Sequence, residues 1–247
     1  MIAKVITLQV SAFIDKRVEP SSDKFSTLLQ QINNLKYKEF MPSIRNTQNL
    51  NIDTGLFSLV PNLGFVSADK YGQILFNDNR LDVIMTYNDL EAVSDKIDID
   101  AEASSLSKLL QLLLQSCDLK ANRFAYNADI LSNPINKNIA NTQFGKNLVE
   151  MLSFYKEKEL FDCVSRANVH SEIEINNNKE IINVITELNE AFNRENDEKR
   201  IHCHLDINTI PENTEFRFSF SDYEYFLNGI KKIVSEIIPN FEELSNE

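Results

Sequence analysis

The chain has 247 residues, of which 43% are hydrophobic and 25% charged. These are ordinary globular values that argue against disorder and provide for a sizeable core in one large domain or two lobes. Thirty-seven Asp and Glu outweigh 25 Lys and Arg for a net charge of −12, which repels phosphates, argues against direct nucleic-acid binding and favours a basic partner.

Ile2–Phe13 reads as the first strand, with Val5, Thr7, Gln9 and Ser11 alternating with Ile6, Leu8 and Val10. Ser21-Ser22-Asp23 then supplies caps for a helix whose apolar face is Phe25, Leu28, Leu29, Ile32 and Leu35. The polar stretch 36–54 reads as irregular. Leu56–Val60 and Gly64–Ala68 read as two short strands. Ile74 and Phe76, the Asn77-Asp78-Asn79 turn and the return run Leu81, Val83, Met85 and Tyr87 read as a hairpin. A Leu-rich helix over Ala101–Cys117 closes the first half.

The second half starts at Ala121, with a strand over Phe124–Ile130 and a loop over 133–141 containing Pro134. Phe144, Leu148, Met151, Leu152 and Tyr155 form a helical stripe. A strand near Val169–Ile175 precedes an expected helix over Lys179–Asn193, whose buried face would be Ile182, Ile185, Leu188 and Phe192. Ile201–Ile207 and Glu215–Phe220 read as further strands, the latter placing Phe216, Phe218 and Phe220 together in the core. The last helix is expected to begin with a capping box of Ser221 and Glu224 and to stop at Pro239. The fold class is therefore α+β: two similar lobes, 1–120 and 121–247, of antiparallel sheet with helices packed on one face.

The run His202-Cys203-His204-Leu205-Asp206-Ile207-Asn208, its polar link and the helix from Ser221 to Ile238 resemble the ending of a sporadically distributed family of bacterial proteins. Arg123–Ile130 is similar in place to that family's mid-chain strand. The resemblance implies the two-lobed α+β plan and brings no activity with it. The Gly-Pro-Gly-like turn and the Trp expected near that family's central hairpin are absent here.

His202, His204 and Asp206 alternate onto one strand face, opposite Ile201, Cys203, Leu205 and Ile207. Two imidazoles and a carboxylate are the donor set of a zinc-type site. The order is similar to the start of a metallo-β-lactamase motif, which continues with His where this chain has Asn208. His170 is the only other histidine, which leaves later ligands to carboxylates and Cys163. Asp95, Asp98, Asp100 and Glu102 surround the start of the Leu-rich helix, where negative charge suits the helix dipole. With Glu195, Asp197 and Glu198 they are the candidate partner contacts.

Five glycines in no phosphate-cradling arrangement and no GxSxG serine leave nucleophilic and nucleotide chemistry without support. No cofactor is implied. Cys117, Cys163 and Cys203 are widely spaced, with neither a disulfide framework nor a CxxC knuckle. No run reaches the ~18 apolar residues of a membrane span, so a cytoplasmic location is expected. The leading expectation is a non-enzymatic acidic interaction module of bacterial or phage origin, serving toxin neutralisation, immunity or anti-phage defence against a basic or nucleic-acid-binding protein. The alternatives are a metal-dependent hydrolase or nuclease using His202, His204 and Asp206, and a phage-encoded inhibitor that mimics nucleic-acid charge.

Overall fold

The computed structural model describes residues 4–51, 56–87, 98–135, 145–147, 164–193 and 197–245. In chain order the elements are β1 (Lys4–Ile14), α1 (Ser22–Asn34), β2 (Phe40–Asn51), β3 (Leu56–Ser67), β4 (Gly72–Phe76), β5 (Arg80–Thr86) and α2 (Ile99–Ser116). Then follow β6 (Ala121–Leu131), β7 (Val164–Ile175), β8 (Asn178–Asn193), β9 (Glu198–Thr209) and α3 (Asp222–Ser245). The strands form one nine-stranded sheet in the order β2-β3-β4-β5-β1-β6-β9-β8-β7. Every pairing is antiparallel. The expected α+β class holds, and the sheet runs unbroken past the expected 120/121 boundary through the β1–β6 pair.

One face of the sheet carries the core. Leu8, Val10, Phe124, Tyr126, Leu81, Val83, Cys203 and Leu205 on the central strands are at most 1% exposed, and Leu106, Leu110 and Leu113 of α2 are fully buried with them. Side chains alternate along each strand, so the intervening residues Gln9, Asn127, Asp129, His202, His204 and Asp206 point to the other face. The helices contact the sheet in sequence, α1 on β2, α2 on β1 and β5, α3 on β7, β6 and β9. α3 approaches β7 at Gly229, where a Cβ would lie 3.0 Å from that of Ile173. Glycine permits that contact, and a larger residue would force the two elements apart.

Several sequence expectations need correction. Residues 179–193 form β8, not a helix. Ile182, Ile185 and Leu188 fit a helical spacing, but Ile182 and Val184 also fit alternation. The run is rich in Ile, Val and Thr, which suit a pleated surface. Asn176 and Asn177 both take positive φ (49° and 65°), the conformation of a two-residue hairpin turn that returns β7 into β8. The stretch 36–54 is not irregular, since it contains β2, which pairs residue for residue with β3 from Phe40–Ser67 to Asn51–Leu56. As an edge strand β2 tolerates polar residues and Pro42. The two short strands expected after it are one, β3, with Pro61 inside.

Glu215–Phe220 is not a strand. It meets the sheet through an isolated bridge from Phe218 to Ala121, through Arg217, which donates to Asn122 O and pairs with Glu180, and through the stacking of Phe218 on Phe124. Phe218 is 4% exposed, but Phe216 and Phe220 are 43% and 37% exposed, so only one of the three joins the core. Asp222, rather than a Ser221–Glu224 box, organises the start of α3, its Oδ2 accepting from Ser219 N at 2.7 Å and Ser219 Oγ at 2.9 Å. Pro239 lies inside α3 and does not end it. The helical stripe of 144–155 falls almost wholly outside the described residues, of which only 145–147 are helical there.

Candidate functional site

The β6–β9 register sets Asp129 opposite His204 and Leu131 opposite His202. Asp129 reaches both imidazoles with a single oxygen: its Oδ1 lies 2.9 Å from His202 Nε2 and 2.8 Å from His204 Nδ1. The other nitrogen of His202, Nδ1, lies 3.1 Å from Asn189 Oδ1 on β8. Three strands are thus tied by side chains above their main-chain ladder. Burial tends to raise the Asp129 pKa, but the His202 and His204 hydrogen bonds overcome it and hold the carboxyl far below the usual carboxylate range. The same Asp129 hydrogen bond raises the His204 pKa above its ordinary 6.5 against partial burial, assisted by the charges of Asp129, Asp206 and Glu187.

The sequence reading placed Asp206 with the histidines. It does share their face, but it accepts from Asn208 Nδ2 at 2.9 Å, and Asn208 in turn accepts from Asn183 Nδ2 at 3.3 Å. Asp129 is the carboxylate between the imidazoles. Sequence reasoning missed it because only the β6–β9 register brings it there. His170 is exposed on β7, in register with Asn183. Among the described residues no group of three or more His, Cys, Asp or Glu is arranged to hold a metal ion. Neither imidazole has a serine or cysteine among its hydrogen-bond partners there. Behind the histidines, burial pushes the Cys203 thiol up to about 12, which keeps it protonated and unreactive.

This bridge makes stability depend on pH. The raised His204 pKa contributes stability that is fully present below 6.5 and is lost as pH rises through its folded value. The lowered Asp129 pKa contributes stability present above 3.8 and lost as pH falls through its folded value. The two overlap in mildly acidic solution. Asp129→Asn is expected to cost about 1–2 kcal/mol near pH 6, allowing for the partial exposure of His204, and clearly less near pH 9. Urea denaturation at the two pH values reads the difference.

The acidic candidates are largely engaged within the fold. Asp98 caps α2 by accepting from Ala101 N at 3.0 Å. Asp100 pairs with Lys231 of α3 at 2.9 Å. Glu102 Oε1 accepts from Tyr37 and, at 2.8 Å, from Tyr87. Burial first, and then Glu102, push both phenols well above their ordinary range. Glu198 pairs with Arg200, whose Nη1 donates to Ser132 O at 2.9 Å. Asp197 is exposed, with φ of 54°. Asp95, Glu195 and Cys163 lie outside the described residues.

Further carboxylates lie near the β7–β8 turn. Glu172 and Glu174 share one face of the sheet with Lys179, and Glu180 lies on the opposite face with Arg217. Lys179 pairs with Glu172 at 2.7 Å and Arg217 with Glu180 at 2.7 Å. Glu174, Glu212 and Glu215 are exposed, and their carboxylates have no ion pair among the described residues. No family model matches the chain, and no curated protein matches it either. No described helix is long and apolar enough to cross a membrane.

Proposed function

We propose that the protein is a non-enzymatic interaction module that engages a basic or nucleic-acid-binding protein through its acidic surface, as a toxin-neutralising, immunity or anti-phage defence component would. The observation that carries this reading is the net charge of −12, together with the exposed carboxylates of Glu174, Glu212 and Glu215, which have no ion pair among the described residues. Charge of one sign concentrated on a surface steers an oppositely charged partner and speeds encounter. The edge position of β7 adds support. An edge strand presents unpaired backbone groups to which another chain can add, and Val164 and Val169 stand 58% and 57% exposed along it.

The test is affinity capture with the wild-type chain and with the Glu174→Lys/Glu212→Lys/Glu215→Lys variant as bait. A stoichiometric partner held at about 50 mM salt should be weakened at about 300 mM. The variant should bind it roughly 10-fold or more slowly. Binding indifferent to salt and to charge reversal overturns the reading. A second reading, metal-dependent hydrolysis, draws on the convergence of His202 and His204 upon one carboxylate oxygen. Elemental analysis of the purified protein decides it: a stoichiometric metal lost on His204→Ala supports it, and metal-free protein removes it.

A further inference from the structure

α2 and α3 lie side by side across the β6 strand, and between them is a cleft of about 180 Å³. Its origin is local. α2 turns Ala103, Ser104 and Ser107 towards α3, and these side chains are too short to fill the space above the sheet. The floor is Tyr126 of β6, a residue 1% exposed. Its hydroxyl is buried and has no hydrogen-bond partner among the described residues. The contrast with Tyr223 is informative, because that neighbouring buried phenol donates to Ala125 O at 2.8 Å. A buried polar group left without a partner costs stability, so one beside a cleft calls for an explanation such as a bound molecule or water.

The cleft far exceeds the roughly 10–15 Å³ that a single water needs, and a cavity of about 150 Å³ can hold a benzene ring. Leu227, Ile230 and Val234 supply an apolar wall from α3. The mouth is polar: Asp100 and Lys231 pair across it at 2.9 Å, and Lys108 is exposed with no ion pair among the described residues. Burial, reinforced by the nearby Asp100 charge, raises the Tyr126 pKa, so the phenol remains a donor and requires an acceptor. A carboxylate at that depth would pay a large desolvation cost, whereas a neutral carbonyl would not. An anionic group is better placed outside, beside Lys108 and Lys231.

We propose that this cleft binds a small organic molecule the size of one aromatic ring, with a carbonyl that accepts from Tyr126 Oη and an anionic group that meets Lys108 at the mouth. The site is independent of the protein-partner reading above. It would tie α2, from the first half of the chain, to α3 at its end.

The probes are 4-acetylbenzoate, which has both groups, and 4-isopropylbenzoate, which matches its shape without the acceptor. Titration is followed through the methyl signals of Ala103, Leu227, Ile230 and Val234 in NMR spectra. 4-Acetylbenzoate should saturate these shifts and bind about 10-fold more tightly than 4-isopropylbenzoate, the value of one good hydrogen bond. Tyr126→Phe should abolish that preference. It should also leave the free protein as stable as wild type or more so, because it removes an unsatisfied hydroxyl. Lys108→Gln should weaken both probes. The comparison of the two probes on wild-type protein stands even if a variant fails to fold. Absence of localised shifts at about 10 mM of either probe, or equal affinity for the two, overturns the proposal.

Discussion

Replacing Phe124 with alanine is expected to destabilise the protein by about 4 kcal/mol, read as a lowered urea midpoint. Phe124 is fully buried at the middle of β6. Its ring stacks on Phe218 at 4.6 Å with an interplanar angle of 21°, and meets Tyr223 edge-on at 5.0 Å and Phe226 at 5.9 Å. Truncation therefore removes both the transfer energy of the ring and its aromatic contacts, and leaves a cavity that the surrounding elements cannot close. Phe218 belongs to an irregular segment held to the sheet by the Ala121 bridge, by Arg217 and by this stack. Without Phe124 beneath it, that segment and the start of α3 should loosen first, visible as early hydrogen exchange at residues 217–226. Phe124→Leu should recover about half of the loss.

Asp82→Ala should cost about as much, roughly 3–5 kcal/mol, although the residue lies on the sheet face away from the helices. Its side chain is 0% exposed and accepts four hydrogen bonds. Ser11 Oγ donates at 2.6 Å, Gln9 Nε2 at 3.0 Å, Asn77 Nδ2 at 3.0 Å and Arg80 Nε at 2.9 Å. Alanine would leave the buried Ser11 hydroxyl without its acceptor and would release the Asn77 and Arg80 side chains that close the β4–β5 turn. Asp82→Asn should be intermediate, because an amide offers one acceptor oxygen where the carboxylate uses two. A loss for the alanine variant below about 1 kcal/mol would mean that solvent reaches the group and that the network is only superficial.

These two residues mark what could and could not be read from the chain beforehand. Phe124 is legible: it sits in an alternating run, and so do the residues of β1, β5 and β9, which is why those strands and the helices at 22–34 and 99–116 were anticipated. Asp82 is not. Nothing in its neighbours along the chain distinguishes a solvated carboxylate from one enclosed by donors brought in from β1. The same limit hid Asp129, whose role depends on cross-strand register with His204, and led to Asp206 being paired with the histidines instead. The β8 error has a different cause. Ile182, Ile185 and Leu188 satisfy two periodicities, and the Asn176-Asn177 turn that decides between them was not recognised. Pro239 misled in turn because a proline near an exposed helix end forfeits one hydrogen bond without ending the helix. The acidic balance was visible from composition. Which carboxylates are occupied internally, as Asp98, Asp100 and Glu102 are, follows only from packing.

The β1–β6 seam at the centre of the sheet has a practical corollary. Cutting the chain in the short link between α2 and β6 would yield two pieces, each with a long strand flank stripped of its neighbour. Those flanks match each other from Lys4–Leu131 to Ile14–Ala121, so co-expressed pieces should reassemble, whereas either alone should precipitate. Attached to the halves of a split reporter, they would turn the protein into a two-component complementation switch.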